Sequence, residues 1–186
     1  MKRGWWCAAL ACAVFAFAAC RASAEQSSVV DLGGLKSKAA ADWQAQKPSS
    51  TMQLYHFRVP HAEGDSDDAH MIVFFFQGQG GSADANVERW KKMFVPPEGK
   101  SIDDVSKVEK MKVADSDVTY LDVHGTYKMK KRPFDPNEKP ELKPDYRLIG
   151  VVFETKNGPY FIRFVGPEKT VEQHKKDFDD WLKAFK

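Results

Sequence analysis

Cysteine is missing wherever it would bear on a folded domain. Cys7, Cys12 and Cys20 all fall within the first 24 residues, and residues 25–186 contain none. This excludes a disulfide framework, a thiol nucleophile and any thiolate metal site downstream of the N-terminal segment. A long apolar run is missing too. The uncharged stretch from Trp5 to Ala19 falls short of the roughly 20 residues that a spanning helix needs, and no later stretch approaches it. An excess of positive charge is the third absence. Leaving out Lys2, Arg3 and Arg21 reduces the 28 basic residues to 25 against 26 acidic ones, a formal net of −1. A near-neutral domain lacks the electrostatic footprint of a nucleic-acid binder.

What is present at the N-terminus reads as an export signal. Lys2 and Arg3 form a basic start, the apolar stretch follows, and Ala22-Ser23-Ala24 places small residues before a cleavage point at Glu25. Residues 1–24 are therefore expected to be a signal peptide, and the protein to be exported, periplasmic or secreted. Phe17-Ala18-Ala19-Cys20 is a competing signal similar to a lipobox, with lipidation expected at Cys20. One acylated cysteine would tether the domain to a membrane surface without changing its fold. Residues 25–36 hold little that packs, and Gly33-Gly34 interrupts them, so a flexible lead-in is expected there. Residues 37–186 are long enough for one self-sufficient core.

Along that domain, residues 38–46 favour a short helix around Ala39, Ala40 and Ala41, with a strand ending at Trp43 as the other reading. Thr51–Val59 alternates as a strand does, and residues 71–76 are apolar on both faces. Gly78-Gln79-Gly80-Gly81-Ser82 then leads into a helix over about 83–94, with Ala83, Val87, Trp90 and Phe94 on one side. Residues 107–113 and 118–127 read as a hairpin. The proline-rich 128–145 reads as a solvated loop. Residues 147–154 and 159–165 flank Asn157-Gly158, a strong hairpin signal because both residues tolerate positive φ. Val171, His174, Phe178, Trp181, Leu182 and Phe185 mark a closing helix, with Pro167 at its start. Three strands apolar on both sides need cover above and below. The expected fold is α+β: a largely antiparallel sheet covered by helices on both faces, an α/β/α sandwich.

Candidates for chemistry are few. Glycines followed by a helix start can turn backbone N–H groups and a dipole toward an anion. Gly78, Gly80, Gly81, Ser82 and, one turn on, Arg89 are thus the candidate ligand-binding residues. The spacing is neither a P-loop nor G-x-G-x-x-G, and the simpler reading is a turn between strand and helix. Glu63, Asp65, Asp67 and Asp68 fail the EF-hand template, because His70 and Phe76 stand where Gly and Glu belong. The five histidines show no metal spacing, and His174 on the apolar stripe reads as a packed, hydrogen-bonded side chain. His56, His61 and His70 are the one histidine group that folding can bring together. No catalytic residue, cofactor or metal is expected.

Pro48-Ser49-Ser50-Thr51-Met52, the Gly-x-Gly-Gly turn, Asn86-x-x-Arg89-Trp90 and the run from Gly158 to Thr170 resemble the marks of a group of uncharacterised exported bacterial proteins. That resemblance brings no established activity. The late two-faced hairpin followed by a long closing helix resembles, more loosely, the PsbP-like sandwich, whose members act mainly as accessory or binding proteins. The resemblance implies a non-enzymatic binding domain of the cell envelope, with an unknown protein or envelope component as partner. The alternative left open by the glycine turn is a small-anion or small-ligand binder, with enzymatic activity included.

Overall fold

The computed structural model describes residues 28–130, 135 and 137–186. The expected signal peptide and Cys20 lie outside the described residues. The chain begins with a hairpin of β1 (Val29–Leu32) and β2 (Leu35–Lys38). The remaining strands are β3 (Gln44–Gln46), β4 (Gln53–Val59), β5 (Ala69–Phe75), β6 (Phe94–Val95), β7 (Ser106–Val113), β8 (Ser116–Met129), β9 (Glu141–Thr155) and β10 (Gly158–Pro167). They form one antiparallel sheet in the order β3-β4-β5-β10-β9-β8, and β6 and β7 pair with successive parts of β8. Two α-helices, α1 (Ala83–Lys91) and α2 (Glu168–Lys183), and one 3-10 turn, Asp103–Val105, complete the described elements.

The α2 face of the sheet carries the larger core. Phe57, Met71, Val73, Ile149, Val151, Phe153, Ile162 and Phe164 point toward Val171, Phe178, Trp181 and Leu182 of the helix. The expected stripe is buried as read, with Phe178 at 0% exposure. The helix start is fixed from the side: Asp65 accepts hydrogen bonds from the Thr170 N–H and hydroxyl, and Thr170 accepts one from the Ala62 N–H. Pro167 stands just before the helix as its cap residue.

Four expectations are corrected. Residues 25–36 were expected to be flexible, yet β1 and β2 pair, and Val30 and Leu32 are fully buried. Gly33 and Gly34 make the turn with positive φ, so the glycine pair closes a hairpin where it was read as a break. Lys36 exchanges two backbone hydrogen bonds with Lys186, which ties this hairpin to the C-terminus. Residues 38–46 contain no helix; a turn and β3 stand there. The proline-rich segment is shorter than expected as a loop, since β8 continues to Met129 and β9 starts at Glu141.

The fourth correction concerns the architecture. Of the described residues 48% are in strands and 18% in helices, a β-rich fold, and the sheet is not covered by helices on both faces among them. Helix α1 spans nine residues and lies over Leu121, Val123, Leu148, Val152 and Phe161. β4 and residues 70–72 of β5 lie outside that cluster, and Phe74 packs at its edge; Ile72 and Phe74 stay half-buried. Apolar residues on a strand show that contact is favourable; they do not specify a helix as the contact. Here Phe74 stacks on Phe76 at 6.0 Å and 8°, and Phe76 tilts onto Phe161 at 5.5 Å. Aromatic side chains screen one another in place of a second helix.

Candidate functional site

The glycine turn is the first place to look. Gly78 and Gly81 both have φ near +80°, a conformation that glycine adopts without steric cost. Ser82 accepts a hydrogen bond from the Ala85 N–H and caps α1 as its sequence suggests. Asn86 is buried, and its amide donates to the Gly80 and Ser82 carbonyls. Arg89 is exposed and reaches the Gly80 carbonyl at 3.5 Å. The structure therefore brings Gly80, Ser82 and Arg89 together, but through carbonyls facing side-chain donors. Gly80 sits under Phe161, and a Cβ there would lie 2.1 Å from that ring.

The acidic turn is occupied by protein partners. Asp65 holds the start of α2, and Asp67 accepts from the Tyr146 hydroxyl at 2.7 Å and from Lys143 at 3.2 Å. Asp68 accepts from the His61 ring and backbone and from Arg58; led by the His61 ring contact, these bonds hold its carboxyl at about 2. Three carboxylates committed to protein donors leave no calcium cage here.

Of the three histidines, two converge. His56 on β4 and His70 on β5 project from the same side of the sheet, with Nε2 of one 3.0 Å from Nδ1 of the other. His61 sits apart, on Asp68. At 3.0 Å one ring nitrogen donates and the other accepts, so the pair excludes a proton on both facing atoms. Burial lowers the pKa of both rings. The charge of His70 lowers His56 further; around His70, Asp68 and Asp67 oppose the effect and Arg58 adds to it.

That lowering fixes a sign. The unfolded chain takes up protons near 6.5 and the folded chain at lower pH, so this stability is complete above about 6.5 and is lost as pH falls through the folded values. Melting temperature is expected to drop between pH 7 and 5, with a slope of at most about 1.4 kcal/mol per pH unit per histidine. A His56→Gln/His70→Gln double variant should flatten that slope. An unchanged slope would place its origin elsewhere.

Beside this pair lies the feature that sequence reading missed. Arg163 is in the middle of β10, flanked by Ile72 on β5 and Gly150 on β9. Its guanidinium sits 4.6 Å above the Phe74 ring. Among the described residues no carboxylate pairs with it, and burial pushes its pKa below the ordinary value; Tyr127 opposes the effect and nearby Arg89 adds to it. Half-buried His56, His70, Ile72, Phe74 and Val165 lie on the same face of the sheet; Phe74 and Val165 pack against the α1 cluster, and the other three lie beyond it. The signal was a lone charge in the apolar run Tyr160-Phe161-Ile162-Arg163-Phe164-Val165. An arginine stem buries readily, but a desolvated guanidinium without an anion is uncommon.

Comparison with known proteins adds only an outline of the fold. No family model matches the chain, and no curated protein matches it. The motif resemblance to exported bacterial proteins therefore rests on its residues alone. Among solved structures, a Pseudomonas aeruginosa protein of unknown function, PA94, described as a putative regulator, is 12% identical over 84% of this chain and 93% of its own, with a TM-score of 0.46. Cyanobacterial PsbP (CyanoP) from Synechocystis is 13% identical over 82% of this chain and 86% of its own, with a TM-score of 0.48. Both likenesses are loose ones of fold. Separately, no helix among the described residues is long and apolar enough to cross a membrane.

Proposed function

We propose that this chain is an exported, non-enzymatic binding domain of the cell envelope. It uses the uncovered half of its sheet to hold a partner protein through an apolar segment that carries an acidic side chain. The observation that supports this reading is Arg163: a half-buried residue whose desolvated guanidinium lies on the Phe74 ring near Ile72 and Val165, with no carboxylate paired to it among the described residues. A carboxylate from a partner would supply the charge-assisted hydrogen bonds that this chain leaves unmade. The flanking rings would add apolar burial and keep water out, the arrangement in which arginine and aromatic anchors dominate binding. Export is carried by the leader grammar of residues 1–24, with processing after Ala24 or lipidation at Cys20. The glycine turn supports this reading over a small-anion site, because its carbonyls are directed at Asn86 and Arg89.

Two measurements test it together. In cells making the full chain, a photo-crosslinking residue at Ile72 is expected to give a discrete adduct. The same residue at exposed Lys183 should not give it, and Arg163→Met should abolish it. The isolated Arg163→Met domain should meanwhile melt higher, by the equivalent of about 1–2 kcal/mol. An uncompensated buried charge gives way there to an apolar side chain of similar length, less the lost ring contact. A lower melting temperature would make Arg163 a structural residue. Absence of an Arg163-dependent adduct, together with a melting shift by short carboxylates that Arg163→Met abolishes, would assign the face to a small anion instead.

A further inference from the structure

The side of the molecule that carries α2 holds a second constellation, formed by residues from two distant stretches of chain. Asp42 precedes Trp43 in the turn between β2 and β3. The Trp43 ring is buried against Phe57, Phe164, Phe178 and Trp181, with centroids 5.7–6.4 Å away, so the backbone that carries Asp42 is firmly placed. His174 and Asp177 are three residues apart on α2 and share one side of it. One ligating atom from each of Asp42, His174 and Asp177 lies within 4.8 Å of the other two.

Exposed carboxylates near one another are common and by themselves mean little. The histidine changes the reading. His174 is 5% exposed, and its Nε2–H donates to the Pro60 carbonyl at 3.0 Å. That bond leaves Nδ1 as the ring's free lone pair. Nδ1 is buried and has no hydrogen-bond partner. It faces Asp42, whose Oδ2 is 3.4 Å away. A backbone carbonyl on one ring nitrogen, with the other nitrogen without a hydrogen bond and facing a carboxylate, is the outer-shell pattern of metal-binding histidines.

We propose that Asp42, His174 and Asp177 bind a divalent transition cation of the zinc class. Zinc holds imidazole nitrogen and carboxylate oxygen at about 2.0–2.2 Å, which puts neighbouring tetrahedral ligands about 3.4 Å apart. The Asp42–His174 pair already stands at that spacing, and rotation of the exposed Asp177 side chain brings the third ligand in. An imidazole donor favours zinc, nickel or copper over magnesium and calcium, which take oxygen ligands. Three protein ligands leave a fourth position, on the solvent side of the two exposed carboxylates, for water. The ion would pin the β2–β3 turn to the C-terminal helix. Because the unfolded chain lacks the assembled site, binding would stabilise the fold. The site does not involve Arg163 or the uncovered half-face and stands apart from the binding role proposed above.

The test is a zinc titration of the full mature domain after chelator treatment, read by calorimetry and by melting temperature. One equivalent is expected to bind and to raise the melting temperature. Asp42→Asn and Asp177→Asn, both at exposed positions that the fold tolerates, should each weaken binding at least about tenfold. Cobalt in place of zinc should give visible absorption bands that the two variants lose. His56→Gln should leave all of this unchanged, since the His56–His70 pair is the competing ligand set. The proposal is overturned if zinc does not bind the wild-type domain, if Asp42→Asn and Asp177→Asn bind as tightly as wild type, or if binding is lost in His56→Gln instead. In the first of these outcomes, His174 is a packed side chain that faces Asp42.

Discussion

Replacing Phe178 by alanine is expected to cost the domain about 3–5 kcal/mol, measured as the shift in the midpoint of urea unfolding at unchanged slope. Phe178 is fully buried in the middle of α2. Its ring stacks on Phe164 at 5.3 Å and 18°, lies 5.6 Å from Trp181, and completes the surround of Trp43 at 6.4 Å. Truncation removes the transfer energy of a benzyl group and leaves a cavity walled by rings belonging to β10, α2 and the turn before β3. Those walls are held by separate backbone segments, so collapse into the space is limited and the cost should sit well within the range. A loss under about 1 kcal/mol would mean that α2 does not dock on the sheet as described.

The same residue shows what was legible beforehand. Val171, His174, Phe178, Trp181 and Leu182 announce a helix and its buried side because helical periodicity is local, with every member within one stretch of chain. Asn157-Gly158 announces its hairpin for the same reason. The hairpin of β1 and β2 was not legible. Its buried apolar content is Val30 and Leu32 among polar neighbours, and its meaning depends on a partner strand and on the C-terminus near Lys186. The uncovered half-face was not legible either. Ile72 and Phe74 read as residues requiring cover, and only the reach of α1, set by the register of β8, β9 and β10, decides that Phe74 packs at the edge of its cluster and Ile72 lies beyond it. Proximity across strands is a matter of register: His56 meets His70, and Arg163 meets Phe74, because β4, β5 and β10 align in one particular way.

Candidate site residues followed the same division. Gly78, Gly80, Gly81 and Ser82 were found because glycines before an amphipathic run are conspicuous in one dimension. Which of their atoms turn inward is a three-dimensional fact. Asp42 and His174 are far apart in the chain, so no spacing rule could join them. For His174, the expected packing and hydrogen bonding are present at Nε2, and it is the other nitrogen that carries the new inference.

Gly80→Val separates the two meanings of the glycine turn and is expected to cost about 3 kcal/mol, the upper end of ordinary overpacking. Gly80 has an ordinary backbone angle, so the cost is not conformational. A Cβ would meet Phe161 at 2.1 and 2.2 Å and Phe76 at 3.1 Å. Phe161 is 2% exposed and belongs to the core under α1, so it cannot swing away without emptying that core. Moving the loop instead would pull the Gly80 carbonyl off the Asn86 amide at 3.0 Å and strip a buried side chain of one of its two carbonyl partners. Both routes lead to lost stability, which phosphate or short carboxylates should not restore. A variant that unfolds at the wild-type midpoint but no longer responds to those anions would reverse the assignment. The glycines would then serve a bound ligand, and their fit beneath Phe161 would be incidental.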